Sequence, residues 1–237
     1  MDVKETDILG DDIGSHWYYA SKAKAMRTML GTAVTTRVLD VGAGSGFFSR
    51  HLLEHTDACE AWCVDTSYPR DSDSNLGNKS IHYRREVDAV SADLVLLMDV
   101  LEHVDDDVAL LKEYVDKVPN GARFLLTVPA FQFLWSPHDE FLEHKRRYVL
   151  PQVESVASAA GLDVRNAGYY FGAVFPIAAT IRLIQRYRRQ TAPAQSQLTR
   201  HHWLVNKALA AACAAELPLM RTNRVAGLSV FCLAQKP

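Results

Sequence analysis

The chain has 237 residues, of which 48% are hydrophobic, and its formal net charge is −2. This length suits one large domain that carries an insertion. The first residues are acidic and polar, which excludes a signal peptide with a basic flank and an apolar core, so we expect a cytoplasmic protein. The four cysteines form no CxxC pair, which excludes a zinc ribbon and indicates ordinary reduced thiols.

The charge is distributed unevenly along the chain. Residues 1–159 hold 16 Lys and Arg against 26 Asp and Glu (−10), whereas residues 160–237 hold 10 against 2 (+8). Such a basic end could face an anionic partner, such as a lipid headgroup, a phosphate or nucleic acid, or it could be a solvated surface.

Short apolar runs alternate with helical patterns through the first two thirds of the chain. The runs RVLDV, AWCV, DLVLLMDV and RFLLTV read as strands covered on both faces. GFFSRHLLEH and DDDVALLKEYVDKV, which lie between these runs, read as helices. Strand and helix in alternation predict an α/β fold with a doubly wound, mostly parallel sheet.

The stretch VLDVGAGSG places a glycine-rich loop between a strand and a helix, where a ligand can approach backbone N–H groups. Its glycines are spaced GxGxG, at Gly42, Gly44 and Gly46, and Asp40 stands just before them. A carboxylate there suits a ligand with an ammonium and a sulfonium better than a dinucleotide. Asp65 ends the next strand, where a carboxylate can accept both hydroxyls of a ribose.

These motifs resemble those of the class I S-adenosylmethionine-dependent methyltransferases, and DLVLLMDVLEHV is similar to the fourth-strand motif of the small-molecule branch. The resemblance implies a Rossmann-like seven-stranded sheet, with S-adenosyl-L-methionine as the cofactor. It also implies that Asp99 contacts the methionine part of the cofactor, and that an adenine contact lies near residues 86–88.

The stretch SPHDEFLEHKRRY follows the strand RFLLTV and so lies over the carboxyl edge of the sheet. Its density of ionisable groups favours a functional loop, although a salt-bridge cluster that orders the loop is the alternative. Methyl transfer to a hydroxyl requires alignment and removal of a proton, for which a histidine is suited. The candidate catalytic residues are His138, His103 and His144.

The same loop resembles that of a bacterial methyltransferase group associated with glycolipid and polyprenyl-linked sugar pathways, and SHWYYASKAKAM resembles its aromatic N-terminal segment. Aromatic side chains there could close over the acceptor or the sulfonium, or could pack the first helix on the core. The candidate acceptor-binding residues are Trp17, Tyr18, Asp139, Arg146, Arg147 and Tyr148, with the two arginines suited to a phosphate or carboxylate.

Asp99, Glu102 and His103 form DxxEH, which is reminiscent of the ExxEH cluster that holds a divalent ion in ubiquinone-pathway and small-RNA methyltransferases. Related LEHV sequences also occur without metal, where these residues begin a helix. We therefore predict no bound metal, with this trio as the alternative.

About fifty residues separate two late strand patterns, GLDVRNAGYYFG and GLSVFCLAQ, and read as two helices inserted between the last two strands. Charges interrupt both helices before they reach the length of a membrane span. They could lie at a membrane surface with Arg186, Arg188 and Arg189 towards anionic headgroups, or bury their apolar faces in a homodimer or over the substrate pocket. We divide the chain into a core with an N-terminal helical segment (1–172), the insertion (173–226) and the last strand (227–237).

The sequence thus predicts a methyltransferase that acts on an oxygen of a small or lipid-linked acceptor, either cytoplasmic or peripheral at the inner face of the membrane. Two alternatives stay open: a nicotinamide-dependent oxidoreductase, and a non-catalytic protein that binds a nucleoside or an anionic lipid. We do not expect nucleic acid as a partner, since no recognition module accompanies the basic charge.

Overall fold

The computed structural model describes residues 10–187 and 202–237. Arg188 and Arg189, for which we predicted contact with anionic headgroups, lie outside the described residues, as does the side chain of Arg186. The described strands, in chain order, are β1 (Arg37–Val41), β2 (Glu60–Val64), β3 (Ser72–Leu76), β4 (Lys79–Arg84), β5 (Leu94–Met98), β6 (Arg123–Pro129), β7 (Asp163–Tyr170) and β8 (Ser229–Gln235).

These strands form one sheet in the order β3-β4-β2-β1-β5-β6-β8-β7. The central strands from β4 to β6 are parallel, whereas β8 runs antiparallel to both β6 and β7. The strand order reverses between β1 and β5, and ligands bind at such a switch point, outside the carboxyl ends of the strands. This arrangement confirms the predicted doubly wound, Rossmann-like fold.

Helices cover both faces of the sheet, which is why its central strands are almost continuously apolar. In β5, Leu94 and Leu96 face one apolar core, whereas Val95 and Leu97 face the other. The described helices are α1 (Trp17–Leu30), α2 (Phe47–His55), α3 (Asp107–Asp116), α4 (Pro137–Phe141), α5 (Leu150–Ala159), α6 (Phe175–Tyr187) and α7 (Trp203–Glu216). Helices α1, α2 and α7 contribute to the first core, and α3 and α5 to the second.

The predicted count of seven strands is wrong, because the sheet has an eighth, β3, at its edge. β3 pairs antiparallel with β4 through a tight turn at Gly77 and Asn78. The strand SDSNL is polar and exposed, so it lacks the apolar pattern from which the other strands were predicted. Gly-Asn between two extended segments was the available signal for this hairpin.

Two helices, α6 and α7, stand between the last two strands, which confirms the predicted helical insertion. Helix α7 packs against α1, where the Asn206 side chain accepts from the backbone N–H of Trp17 and donates to the Ser15 carbonyl. Helix α6 reaches the carboxyl edge of the sheet, where Arg182 donates to the Leu134 carbonyl at 2.6 Å. Within the described residues, every helix is too short or too polar to cross a membrane.

Candidate active site

The glycine loop joins β1 to α2 at the carboxyl edge of the sheet. Gly42, Gly44 and Gly46 all have positive φ angles, of 65°, 53° and 72°. At Gly46 an added Cβ would also lie 3.3 Å from both the Cys63 sulfur and the Tyr83 ring. The backbone of the loop therefore adopts left-handed conformations that residues with a Cβ disfavour. At Gly46 it also packs closely against the end of β2.

Asp40, which stands just before the glycines in the sequence, lies buried beneath this loop. Its side chain is 2% exposed and accepts a hydrogen bond from the Ser49 hydroxyl of α2 at 2.8 Å. Burial raises the pKa of Asp40 to about 6, against the effect of the Ser49 hydrogen bond. The carboxylate thus ties the first turn of α2 to β1 and places negative charge under the loop.

Asp65 follows β2 and faces the loop. One carboxylate oxygen accepts from the Gly44 N–H at 2.9 Å, and the other accepts from the backbone N–H and hydroxyl of Ser67. Tyr68 closes the same corner by donating to the Gly44 carbonyl at 2.6 Å. Asp65 is thereby held beside the glycine loop, where its ribose-binding role was predicted. The predicted adenine-contact region, residues 86–88, follows β4. In it, Glu86 and Asp88 are exposed and Val87 is buried.

Asp99 follows β5 with a positive φ of 57°, an uncommon angle for a residue with a side chain. Its carboxylate pairs with Lys22 of α1 and accepts from the Thr127 hydroxyl at 3.1 Å. Burial alone would lower the pKa of Lys22, but Asp99 raises it above the ordinary value; Lys22 in turn lowers the pKa of Asp99 against the effect of burial. Sequence reasoning missed Lys22, since lysines are common on helices and nothing marked this one as buried.

The segment 136–148 is fastened to the turn that directly follows Asp99. The Lys145 N–H donates to the Glu102 carbonyl at 2.8 Å, and Arg146 donates to the carbonyls of Val104 and Asp105. Tyr148 donates to Asp107 at 2.7 Å. Arg146 and Tyr148 thus anchor the segment, and their contact with the acceptor stays a prediction.

A buried ion pair organises the interior of this segment. Arg147 binds both carboxylate oxygens of Asp139, at 2.7 and 3.0 Å, and donates to the Ala130 carbonyl. Asp139 also accepts from Ser136 and lies 3.0 Å from His144 Nδ1. Burial would raise the pKa of Asp139, but His144 and Arg147 hold it well below its usual range. The carboxylate is therefore ionised, and it orients the His144 ring.

Glu102 and His103, in the turn after Asp99, meet His144 from the other side. Glu102 is fully buried, and its Oε1 lies 4.0 Å from His144 Nε2. The rings of His103 and His144 are 4.8 Å apart. Burial and the Asp99 carboxylate raise the pKa of Glu102, whereas burial and His144 lower the pKa of His103 to about 4. Burial likewise lowers the pKa of His138 to about 4.

The N-terminal aromatic residues pack rather than standing free at the edge. Tyr18 stacks on Phe171 with ring centroids 5.1 Å apart, and Trp17 meets Phe171 edge to face. Tyr18 also contacts Lys22, whose ammonium lies 5.5 Å from the ring centroid. The aromatic segment therefore borders the Lys22–Asp99 pair.

Residues 16–167 match the family model described as "Methyltransferase domain", which spans more than half of the chain. The chain belongs to this methyltransferase family. It is therefore an S-adenosylmethionine-dependent methyltransferase, which confirms the function class and the cofactor and decides against the oxidoreductase and the non-catalytic binding protein. No curated protein sequence matches the chain.

Solved structures share the fold at low identity. A chain from the complex between the Haloferax volcanii Trm112 methyltransferase activator and a methyltransferase aligns with TM-score 0.59 and 17% identity, covering 99% of this chain and 96% of that one. Phosphoethanolamine N-methyltransferase 2 of Haemonchus contortus, solved with S-adenosyl-L-methionine, aligns with TM-score 0.55 and 18% identity over 98% of this chain; our chain spans only 56% of that one.

The [4+2]-cyclase SpnF also aligns, with TM-score 0.54 and 13% identity, covering 92% of this chain and 80% of that one. A cyclase and methyltransferases with one fold show that the architecture alone does not decide the reaction. The acceptor must therefore be argued from the side chains at the carboxyl edge.

Proposed function

We propose that this methyltransferase transfers a methyl group to an oxygen of a small or lipid-linked acceptor, which binds beneath the segment 136–148. The proposal rests on one observation: this segment is fastened to the turn after Asp99 through Lys145, Arg146 and Tyr148. Its imidazoles consequently lie beside the carboxyl edge, where the methyl group is delivered in a class I fold.

The residues of the loop fit the cofactor. Backbone N–H groups of a bare, left-handed glycine loop suit the polar part of a nucleoside ligand, and Asp65 stands where ribose hydroxyls can be bound. Asp99 would face the methionine part. When bound, S-adenosylmethionine supplies the methyl carbon, to which the acceptor oxygen bonds as the carbon–sulfur bond breaks towards sulfur.

His138 is our candidate for the residue that takes up the acceptor's proton. Burial lowers the pKa of His138 to about 4, so its imidazole is neutral at pH 7. The acceptor's O–H proton would pass to this imidazole as the new carbon–oxygen bond forms. Neighbouring Asp139 and Arg147 order the backbone on which His138 stands.

The apolar residues of helix α6 favour an acceptor that has an apolar part. Phe175, at its start, packs against Phe131 and Phe133, which lie between β6 and the segment 136–148, with ring centroids 5.5 and 6.4 Å apart. Ile177 and Ile181 of the same helix remain exposed. A helix with exposed apolar side chains beside residues 131–134 favours a lipid-linked acceptor and a membrane-proximal site of action. The homodimer stays a prediction.

The test is methyl transfer from S-adenosylmethionine labelled in the methyl group to a defined panel: sugar phosphates, polyprenyl-linked sugars, glycolipids and phenols, each beside an amine analogue. We expect a methyl ether on a hydroxyl acceptor, identified by mass spectrometry. Label on the amine analogues alone would contradict oxygen methylation.

His138→Ala should then retain cofactor binding and lose at least about 100-fold in turnover, the usual size of a general-base effect. His55→Ala, which removes an exposed imidazole at the end of α2, is the matched control. Normal turnover in His138→Ala would contradict the assigned role of His138.

A further inference from the structure

The methyltransferase reaction alone does not explain the environment of the Glu102 carboxylate. Its side chain is fully buried, and among the described residues neither carboxylate oxygen has a hydrogen-bond partner. Buried polar atoms are normally paired, because leaving them unpaired costs about 1–3 kcal/mol, and more for a charged group. Such an exception indicates that the Glu102 carboxylate binds a group other than these residues.

His144 points a ring nitrogen into the same space. Its Nδ1 lies 3.0 Å from Asp139, which is itself held by two bonds from Arg147 and two from Ser136. Because Nδ1 lies against Asp139, the other ring nitrogen, Nε2, faces the Glu102 carboxylate, 4.0 Å away. A carboxylate that orients an imidazole in this way is the usual second shell of a metal ligand.

His103 completes the group from the adjoining turn. One ligand atom from each of Glu102, His103 and His144 lies within 4.8 Å of the other two. Around a tetrahedral ion with bonds of about 2.1 Å, the ligand atoms are about 3.4 Å apart. The three side chains would therefore have to draw closer together when the ion binds. We propose that Glu102, His103 and His144 bind a divalent transition-metal ion of the Zn²⁺ class.

The donor set decides the class of ion. Two imidazoles and one carboxylate suit Zn²⁺ and its transition-metal neighbours, whereas Mg²⁺ and Ca²⁺ prefer oxygen ligands throughout. Three protein ligands also leave a coordination position open, as in catalytic rather than structural zinc sites. Where the proposed oxygen methylation holds, this position would take the acceptor oxygen and make its proton easier to remove.

This ligand set differs from the trio that the DxxEH spacing suggested. The structure engages Asp99 with Lys22 and Thr127 and brings His144 to Glu102 instead. His144 lies 41 residues beyond His103, so the spacing within one motif could not reveal it. The loop that carries His144 supplies both the third ligand and, through Asp139, the group that orients it.

The direct test is metal binding by tag-free full-length protein, stripped with EDTA and dialysed. We expect one Zn²⁺ per chain by elemental analysis and calorimetry, and visible absorption of a low-coordinate site when Co²⁺ replaces Zn²⁺. Glu102→Gln and His144→Ala should each weaken Zn²⁺ at least about 100-fold, and Asp139→Asn about 10–100-fold, as second-shell changes do. Zn²⁺ should raise the Tm of the native protein but not that of Glu102→Gln.

His55→Ala is the matched control and should bind Zn²⁺ normally. Absence of Zn²⁺ binding, equal binding in Glu102→Gln and His144→Ala, or preference for Mg²⁺ would overturn the proposal. The outcome is separable from the proposed function: stoichiometric Zn²⁺ without methylation of any hydroxyl acceptor supports the site and contradicts the acceptor class. Oxygen methylation that is unchanged in EDTA overturns the metal's part in the reaction.

Discussion

The two halves of the carboxyl edge are built by different means. Around the glycine loop, the backbone creates the site, with Gly42, Gly44 and Gly46 in left-handed conformations and Asp65 bound to the loop itself. Beyond β5, side chains create it: Lys22 reaches Asp99, and Arg147 and His144 meet at Asp139. The half built around the backbone is specified within one short stretch of the chain, whereas the half built by side chains also needs contacts between distant segments.

Substitutions in the two halves should therefore affect ligand binding and stability differently. A change in the glycine loop should remove a ligand without unfolding the protein, since the loop lies at the edge of the sheet. A change among the buried ion pairs should lower stability as well, because each partner would be left without its counter-charge.

The largest expected effect is that of Lys22→Met. It leaves Asp99 without its cation, and we expect a loss of about 3 kcal/mol in the free energy of unfolding, measured by urea denaturation at pH 7. Lys22→Met combined with Asp99→Asn should recover part of the loss. Because the pKa of Asp99 is lowered in the fold, the contribution of the pair should disappear as the pH falls below about 4. Unchanged stability in Lys22→Met would show that the pair is not formed.

Next comes Gly44→Val, which places a branched side chain at a φ of 53°. We expect the Kd for S-adenosylhomocysteine to rise at least about 100-fold, equivalent to about 2.7 kcal/mol, in calorimetry. Gly77→Ala is the matched control, since this hairpin glycine also has a positive φ, of 64°, but has open space where the Cβ would be. Similar losses of affinity in both variants would contradict a local role for the loop.

A smaller loss is expected for Asp65→Ala. Removing the carboxylate that would accept the ribose hydroxyls should raise the Kd for S-adenosylhomocysteine about 10–100-fold, in line with hydrogen bonds to a charged group. Asp73→Asn, at the exposed edge strand, should bind normally. Equal affinities in the two variants would contradict the predicted ribose contact.

The smallest effect is a change in pH dependence for His103→Gln. Burial lowers the pKa of His103 to about 4, so the unfolded chain takes up a proton near pH 6.5 that the folded chain does not. In EDTA, the native protein should therefore lose stability from pH 7 to pH 4.5 more steeply than His103→Gln. His55→Gln should keep the native slope; an unchanged slope in His103→Gln would contradict the burial of the ring.

The half around the glycine loop could be predicted because its sequence motifs are local. The strand RVLDV, the three glycines and Asp65 specify a strand, a turn and the end of the next strand within about thirty residues. The polar edge strand β3 was missed, because an exposed hairpin needs no apolar pattern. The late strands and the insertion followed from two apolar patterns separated by a long gap.

The half beyond β5 could be predicted only as a set of residue types. The sequence placed His138, Asp139, His144 and Arg147 on one loop and left open whether they bind the acceptor or form a salt-bridge cluster; the structure pairs Arg147 with Asp139. The sequence held no sign that Lys22 is buried or that Glu102 has no hydrogen-bond partner among the described residues. The last two facts arise from tertiary contacts between segments tens of residues apart, since Lys22 pairs with Asp99 and Glu102 lies beside His144.

The measurement that most directly tests the central claim is a calorimetric titration of the native protein with S-adenosylmethionine, S-adenosylhomocysteine and NAD. The account predicts one site per chain for each adenosyl ligand and no heat of binding for NAD. Binding of NAD alone would contradict the assignment of the glycine loop and of every step built on it.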